Sequence, residues 1–147
     1  MQHTYALADL PEMAARLLER YGTERVYALE GDLGAGKTTL VSECCRRLGV
    51  EGETSSPTFS IVNEYRTATG PVYHLDAYRL ESVEEALNAG LEDIFEGEGY
   101  PVFVEWPRVI QPLLPPDVVW IRLAHAPDGT TRQIAVSTGH PDEENER

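Results

Sequence analysis

Lysine is almost missing from this sequence: of its 12 basic residues only Lys37 is a lysine, and every other basic residue is an arginine. Basic charge as a whole is scarce, with 25 acidic residues and a net charge of −13. So acidic a chain is ill suited to neutralising nucleic-acid phosphates by itself, and any role in RNA chemistry has to reach the RNA through a partner. Cysteine is scarce too. Cys44 and Cys45 are adjacent, which excludes a disulfide framework. The histidines His3, His74, His125 and His140 are scattered and make no metal-ligand spacing with them. Packing and surface positions account for both sets. No apolar run approaches the ~20 residues that span a bilayer. The opening MQHTYALADLPE lacks the basic-then-apolar order of a signal peptide. A cytoplasmic protein without a membrane role is expected.

What is present reads as one α/β domain over residues 1–139, followed by an acidic tail, 140–147, too polar to order itself. Pro11 opens a helix that Gly22 stops. RVYALE is a short buried strand, and KTTLVSECCRRLG repeats the helical spacing as far as Gly49. FSIVNEY and VYHLD form a hairpin around RTATGP. Ser82 and Glu85 make a capping box for a helix running towards Asn88, with Gly90 as its stop. VFVEW is a compact buried strand ended by Pro107, and VVWIRL and RQIAVS flank the turn signal Asp128-Gly129. Strands interleaved with helices early and hairpins late predict a mixed sheet, parallel at its centre and antiparallel in its hairpins, with helices on its faces.

The chemistry is concentrated in GDLGAGKT, which fits G-x-x-x-x-G-K-[ST] between a predicted strand and a predicted helix. Gly31, Gly34 and Gly36 let the backbone turn tightly and present its N–H groups to one anion, and the following helix adds its dipole. The segment Asp32, Leu33, Gly34, Ala35, Gly36, Lys37, Thr38 and Thr39 is therefore the candidate nucleotide cradle. Lys37 would reach the β- and γ-phosphates, and the Thr38 hydroxyl would ligate Mg2+. Magnesium needs a second anchor, normally an acidic residue closing an apolar strand. Asp76 after VYHL and Glu105 after VFV both qualify, and the more purely apolar run favours Glu105. The other carboxylate is then free to orient water or act as base. A guanine clamp of the Asn-Lys-x-Asp type is impossible with one lysine, so ATP is favoured over GTP.

GDLGAGKTT, SSPTFSIVNEY, YHLDAYRL and VFVEWP, in that order, closely resemble the TsaE (YjeE) family. The likeness covers roughly Tyr27 to Pro107, with the terminal hairpin matched more loosely. The resemblance implies a phosphate-loop NTPase fold and slow intrinsic ATP hydrolysis. It further implies assembly with the TsaB–TsaD pair for threonylcarbamoyladenosine formation at position 37 of tRNA, TsaE not performing the transfer itself. By the same resemblance Glu105 is the magnesium-side carboxylate and Asp76 a second essential acid near the attacking water. Ser56-Pro57-Thr58 matches a switch-like segment with Thr58 as γ-phosphate sensor, and Trp106 matches a tryptophan near the nucleotide. Arg132 is the nearest match to an arginine after the last hairpin turn. The chain departs from the family at ADLPEMAA, where a threonine close to the adenine is usual.

Rival readings exist for these residues. Trp106 also suits plain core packing, Ser56-Pro57-Thr58 a simple turn, and Arg79 a surface ion pair rather than a charge-stabilising arginine. A small-molecule kinase could use the same loop. Such a kinase usually needs an arginine-rich lid to exclude water, and no arginine cluster of that kind occurs here. A protein that senses ATP without turning it over is the remaining possibility.

Overall fold

The computed structural model describes residues 1–32, 34–52, 54, 61–97 and 99–141. Seven strands form one sheet in the order β1-β7-β6-β2-β5-β4-β3. They are β1 (Gln2–Tyr5), β2 (Val26–Glu30), β3 (Val62–Thr67), β4 (Gly70–Asp76), β5 (Val102–Glu105), β6 (Val119–His125) and β7 (Arg132–Thr138). At the centre β2 runs parallel to both β5 and β6, and β4 runs parallel to β5. The hairpins β3–β4 and β6–β7 are antiparallel, as the turn signals predict.

Side chains of a strand alternate between faces, and here both faces are covered. Tyr27, Leu29, Phe103 and Ile121 point to one side, where α1 (Leu10–Tyr21) and α2 (Lys37–Arg47) cover them. Ala28, Leu75, Val104 and Trp120 point to the other, under α3 (Val83–Asn88), α4 (Leu91–Phe95) and a 3-10 helix over Pro107–Leu113. Two-sided burial explains why VYALE and VFV are continuous apolar runs rather than alternating ones. α1 buries Leu10, Met13, Ala14, Leu17 and Leu18, the helical stripe legible in PEMAARLLERYG. α2 buries Leu40, Val41, Cys44 and Cys45, so both cysteines are core residues. Burial pushes both thiols up, that of Cys45 to about 12.

Three features depart from the sequence reading. The N-terminus supplies an edge strand: β1 pairs antiparallel with β7 although three of its four residues are exposed. Its order comes from ladder hydrogen bonds rather than from a buried face, so no apolar alternation marks it. Gly90 ends α3 in a left-handed conformation, but the chain turns helical again at once and α4 buries Leu91 and Phe95. VFVEW is a strand only to Glu105. Trp106 adopts φ 57° and ψ 60°, the one positive φ outside glycine among the described residues.

Candidate functional site

Parallel strands bring their carboxyl ends to one edge of the sheet, and loops leaving that edge frame a crevice. β2 delivers the glycine loop there, β5 delivers Glu105, and β4 delivers Asp76, which pairs with Glu105 in register. The glycine loop folds tightly against β6. A Cβ on Gly31 would stand 2.4 Å from the Leu123 carbonyl oxygen, so only glycine fits that position. Gly36, with φ 99°, turns the chain into the first residue of α2.

Around this edge lies a cleft of about 440 Å³. Its polar lining includes Gly34, Gly36, Lys37, Thr38, Asp76 and Glu105. Tyr5, Leu7 and Leu10 from the N-terminal segment add apolar lining, together with Thr130 and Arg132. Thr39 and Trp106 also face the cleft. Asp32 and Ala35 shape the loop through their backbone: the Asp32 carbonyl accepts the Ala35 N–H at 3.0 Å and Lys37 Nζ at 3.1 Å. Arg132 Nη2 stands 3.5 Å from the Gly34 carbonyl oxygen. Leu33, Ser56, Pro57 and Thr58 lie outside the described residues. Arg79 is exposed and does not line the cleft.

Lys37 is only 5% exposed. Its ammonium donates to the carbonyls of Gly31 and Asp32 and lies 4.1 Å from the centre of the Trp106 ring. Burial lowers its pKa below the ordinary value, while Glu105, Asp32 and Asp76 pull it back. The Thr38 hydroxyl donates to Glu105, with Oε1 at 2.8 Å and Oε2 at 3.0 Å. Asp76 Oδ1 accepts the Tyr78 N–H at 2.9 Å. Burial raises the Asp76 pKa, and the neighbouring Glu105 carboxylate raises it further against the pull of Tyr78, His74 and Lys37. Tyr78 in turn meets Trp106, ring centres 4.9 Å apart at 53°. A buried ammonium, two carboxylates, a hydroxyl and the N-terminus of an 11-residue helix thus converge on one cleft. Such an arrangement can hold a polyanion and place a carboxylate against a nucleophile.

Several residues of the cleft and its surroundings have a role that the sequence alone does not mark. His74, fully buried, sits with Nε2 2.6 Å from Glu105 Oε2. The alternation of His74-Leu75-Asp76 puts the first and third residues on one face of β4, but does not say that the imidazole will meet Glu105. Tyr78 stands two residues beyond Asp76. Tyr5, Leu7 and Leu10 carried no signal, because their place in the cleft depends on β1 joining the sheet edge.

Comparison with known proteins agrees with this geometry. The family described as "Threonylcarbamoyl adenosine biosynthesis protein TsaE" matches residues 4–134. The tRNA threonylcarbamoyladenosine biosynthesis protein TsaE of Synechocystis is 51% identical over 94 residues, 61% of this chain and 58% of that protein. Its Bacillus subtilis counterpart is 43% identical over 103 residues, 70% of this chain and 63% of that protein. The match thus spans less than two thirds of the length of both relatives. The Haemophilus influenzae protein of the same name is 35% identical over 127 residues, 84% of this chain and 79% of that protein. The crystal structure of Bacillus subtilis YdiB superimposes with a TM-score of 0.71 at 29% identity, covering 99% of this chain and 89% of that one. The fold is that of a P-loop NTPase, and the chain belongs to the TsaE family.

Proposed function

We propose that this chain binds ATP with magnesium in the cleft and hydrolyses it, as the ATPase component of threonylcarbamoyladenosine formation at position 37 of tRNA. The convergence of Lys37, Thr38, Asp76 and Glu105 on one cleft carries this reading. The triphosphate would lie along Gly34, Gly36, Lys37, Thr38 and Thr39, its charge met by backbone N–H groups, the helix dipole and the Lys37 ammonium. Lys37 would exchange its carbonyl partners for phosphate oxygens. The adenine would lie against Tyr5, Leu7 and Leu10, with Arg132 between base and phosphates, replacing the threonine usual in the family.

The Thr38 hydroxyl and the Glu105 carboxylate suit magnesium: both are hard oxygen donors, and they stand within 3.0 Å of one another. When bound, the ion would neutralise charge on the β- and γ-phosphates. Asp76 is the candidate to orient the attacking water and take its proton at Oδ2, since Oδ1 holds the Tyr78 N–H. Thr58 is proposed to sense the γ-phosphate. Trp106, beside Lys37 and Tyr78, closes one wall.

Cooperation with the TsaB–TsaD pair fits the chain's net charge of −13, with tRNA reached only through the complex. No helix among the described residues is long and apolar enough to cross a membrane, and we place the protein in the cytoplasm. The test is ATP turnover by the protein alone and then with TsaB and TsaD. Slow hydrolysis alone that rises with the partners is expected, and Lys37→Ala should lose nucleotide affinity. Transfer of phosphate to a small metabolite would instead make the protein a kinase.

A further inference from the structure

His74 is 0% exposed, and Glu105, beside it, is 3% exposed. A buried ring of this kind needs a partner for each nitrogen, and here each has one. Nε2 lies 2.6 Å from Glu105 Oε2, and Nδ1 lies 3.2 Å from the Tyr65 hydroxyl. An ionised carboxylate only accepts hydrogen bonds, so Nε2 carries the proton and donates. On the other edge of the ring Nδ1 is held by the Tyr65 hydroxyl. The Tyr65 oxygen accepts in turn from Asn63 Nδ2 at 3.4 Å. Asn63, Tyr65, His74 and Glu105 thus form one hydrogen-bonded chain that fixes the orientation of the ring.

The sheet explains why these four meet. Asn63 pairs with His74 across β3–β4, and His74 pairs with Phe103 across β4–β5. Glu105, two residues beyond Phe103, is the diagonal neighbour of His74 on the same face. Tyr65 lies two residues beyond Asn63 and returns to the imidazole along the hairpin. Thr38, in the first turn of α2, donates to the same carboxylate.

We propose that His74, oriented by Tyr65, is a positioning residue that holds one oxygen of Glu105 so that the carboxylate meets the metal in a fixed orientation. The inference rests on the reading of Glu105 as the metal-side carboxylate. A carboxylate with one oxygen anchored has lost its side-chain freedom before the ion arrives, and removing such anchors typically weakens metal binding about 10- to 100-fold. The edge hairpin β3–β4 thereby becomes part of the metal site, although Asn63 and Tyr65 do not line the cleft.

The test measures metal affinity rather than turnover. Mn2+, as an EPR-visible substitute for Mg2+, is titrated into the protein saturated with a non-hydrolysable ATP analogue. Nucleotide affinity without metal and the melting temperature are measured alongside. His74→Leu should weaken Mn2+ binding by about 10-fold or more while metal-free nucleotide affinity stays within about two-fold. His74→Gln, whose amide N–H can replace Nε2–H, should recover most of the loss, and Tyr65→Phe should show a smaller loss of the same kind. Parental Mn2+ affinity in a folded His74→Leu protein overturns the proposal, as does an equal loss with and without metal. If His74→Leu does not fold, Tyr65→Phe decides, and unchanged Mn2+ affinity there overturns it. Glu105→Gln separates the two levels: if it binds Mn2+ as the parent does, the reading of Glu105 fails. If only Glu105→Gln loses the metal, the His74 inference alone fails.

Discussion

Asp76 is held where its charge is uncomfortable. Burial and the facing Glu105 carboxylate raise its pKa despite the Tyr78 N–H, His74 and Lys37. Its native state therefore binds a proton more tightly than the unfolded chain does. Stability is lost as pH rises from the ordinary carboxylate value of ~3.9 through the raised one. Asp76→Asn should accordingly melt above the parent at pH 7, and calorimetry repeated below about pH 4 should find the advantage gone. Such a cost is expected of a residue kept for chemistry rather than for the fold. The adjacent cysteines show the opposite case. Burial in the core raises both thiols, and a thiol that does not ionise does not attack. A thiol reagent such as dithionitrobenzoate should find neither in the native protein and both after unfolding in urea. Their packing role was legible in the helical spacing of α2, because spacing reports burial. The role of His74 was not, because composition does not say which two strands will put an imidazole against a carboxylate.

Elements that carry their own local code were readable. α1 has its proline start and glycine stop, the hairpins have their turn residues, and α3 has Ser82 accepting the Glu85 N–H at 3.2 Å. Ser82→Ala should cost about 1 kcal/mol in a denaturant titration, the usual worth of such a cap. Elements that depend on distant partners were hidden. β1 exists because β7 offers it an edge, and α4 restarts because Leu91 and Phe95 find a core. Trp106 takes a left-handed backbone between Glu105 and Pro107, a conformation that costs about 1–3 kcal/mol and persists only where the surroundings hold it. The hinge between β2 and the loop is the tightest point. Gly31→Ala puts a methyl 2.4 Å from the Leu123 carbonyl oxygen, so β2 or β6 must move. A lower melting temperature together with weakened ATP binding is expected, whereas substitution at Gly52, where a Cβ meets nothing within 4 Å among the described residues and only the positive φ of 89° opposes it, should leave ATP binding alone.

Over the whole molecule, three parallel strands act as a rigid frame that sets a lysine, a hydroxyl and two carboxylates at one edge. The frame and the glycine loop could be read from apolar runs and one motif. The apolar lining of the cleft could not, because Tyr5, Leu7 and Leu10 reach it only after the N-terminus has joined the edge of the sheet. The net charge of −13 disfavours direct contact with the phosphates of tRNA. The central claim is that this cleft hydrolyses ATP and that Asp76 acts on the water rather than on the nucleotide. It is tested most directly by magnesium-dependent ATP turnover in the presence of TsaB and TsaD, parent against Asp76→Asn, with ATP affinity measured on the same samples. The account predicts affinity within a few-fold of the parent and turnover lower by about 100-fold or more, the usual worth of a positioned base. Turnover at the parental rate in Asp76→Asn, or no magnesium-dependent turnover by the parent under any condition, would contradict it.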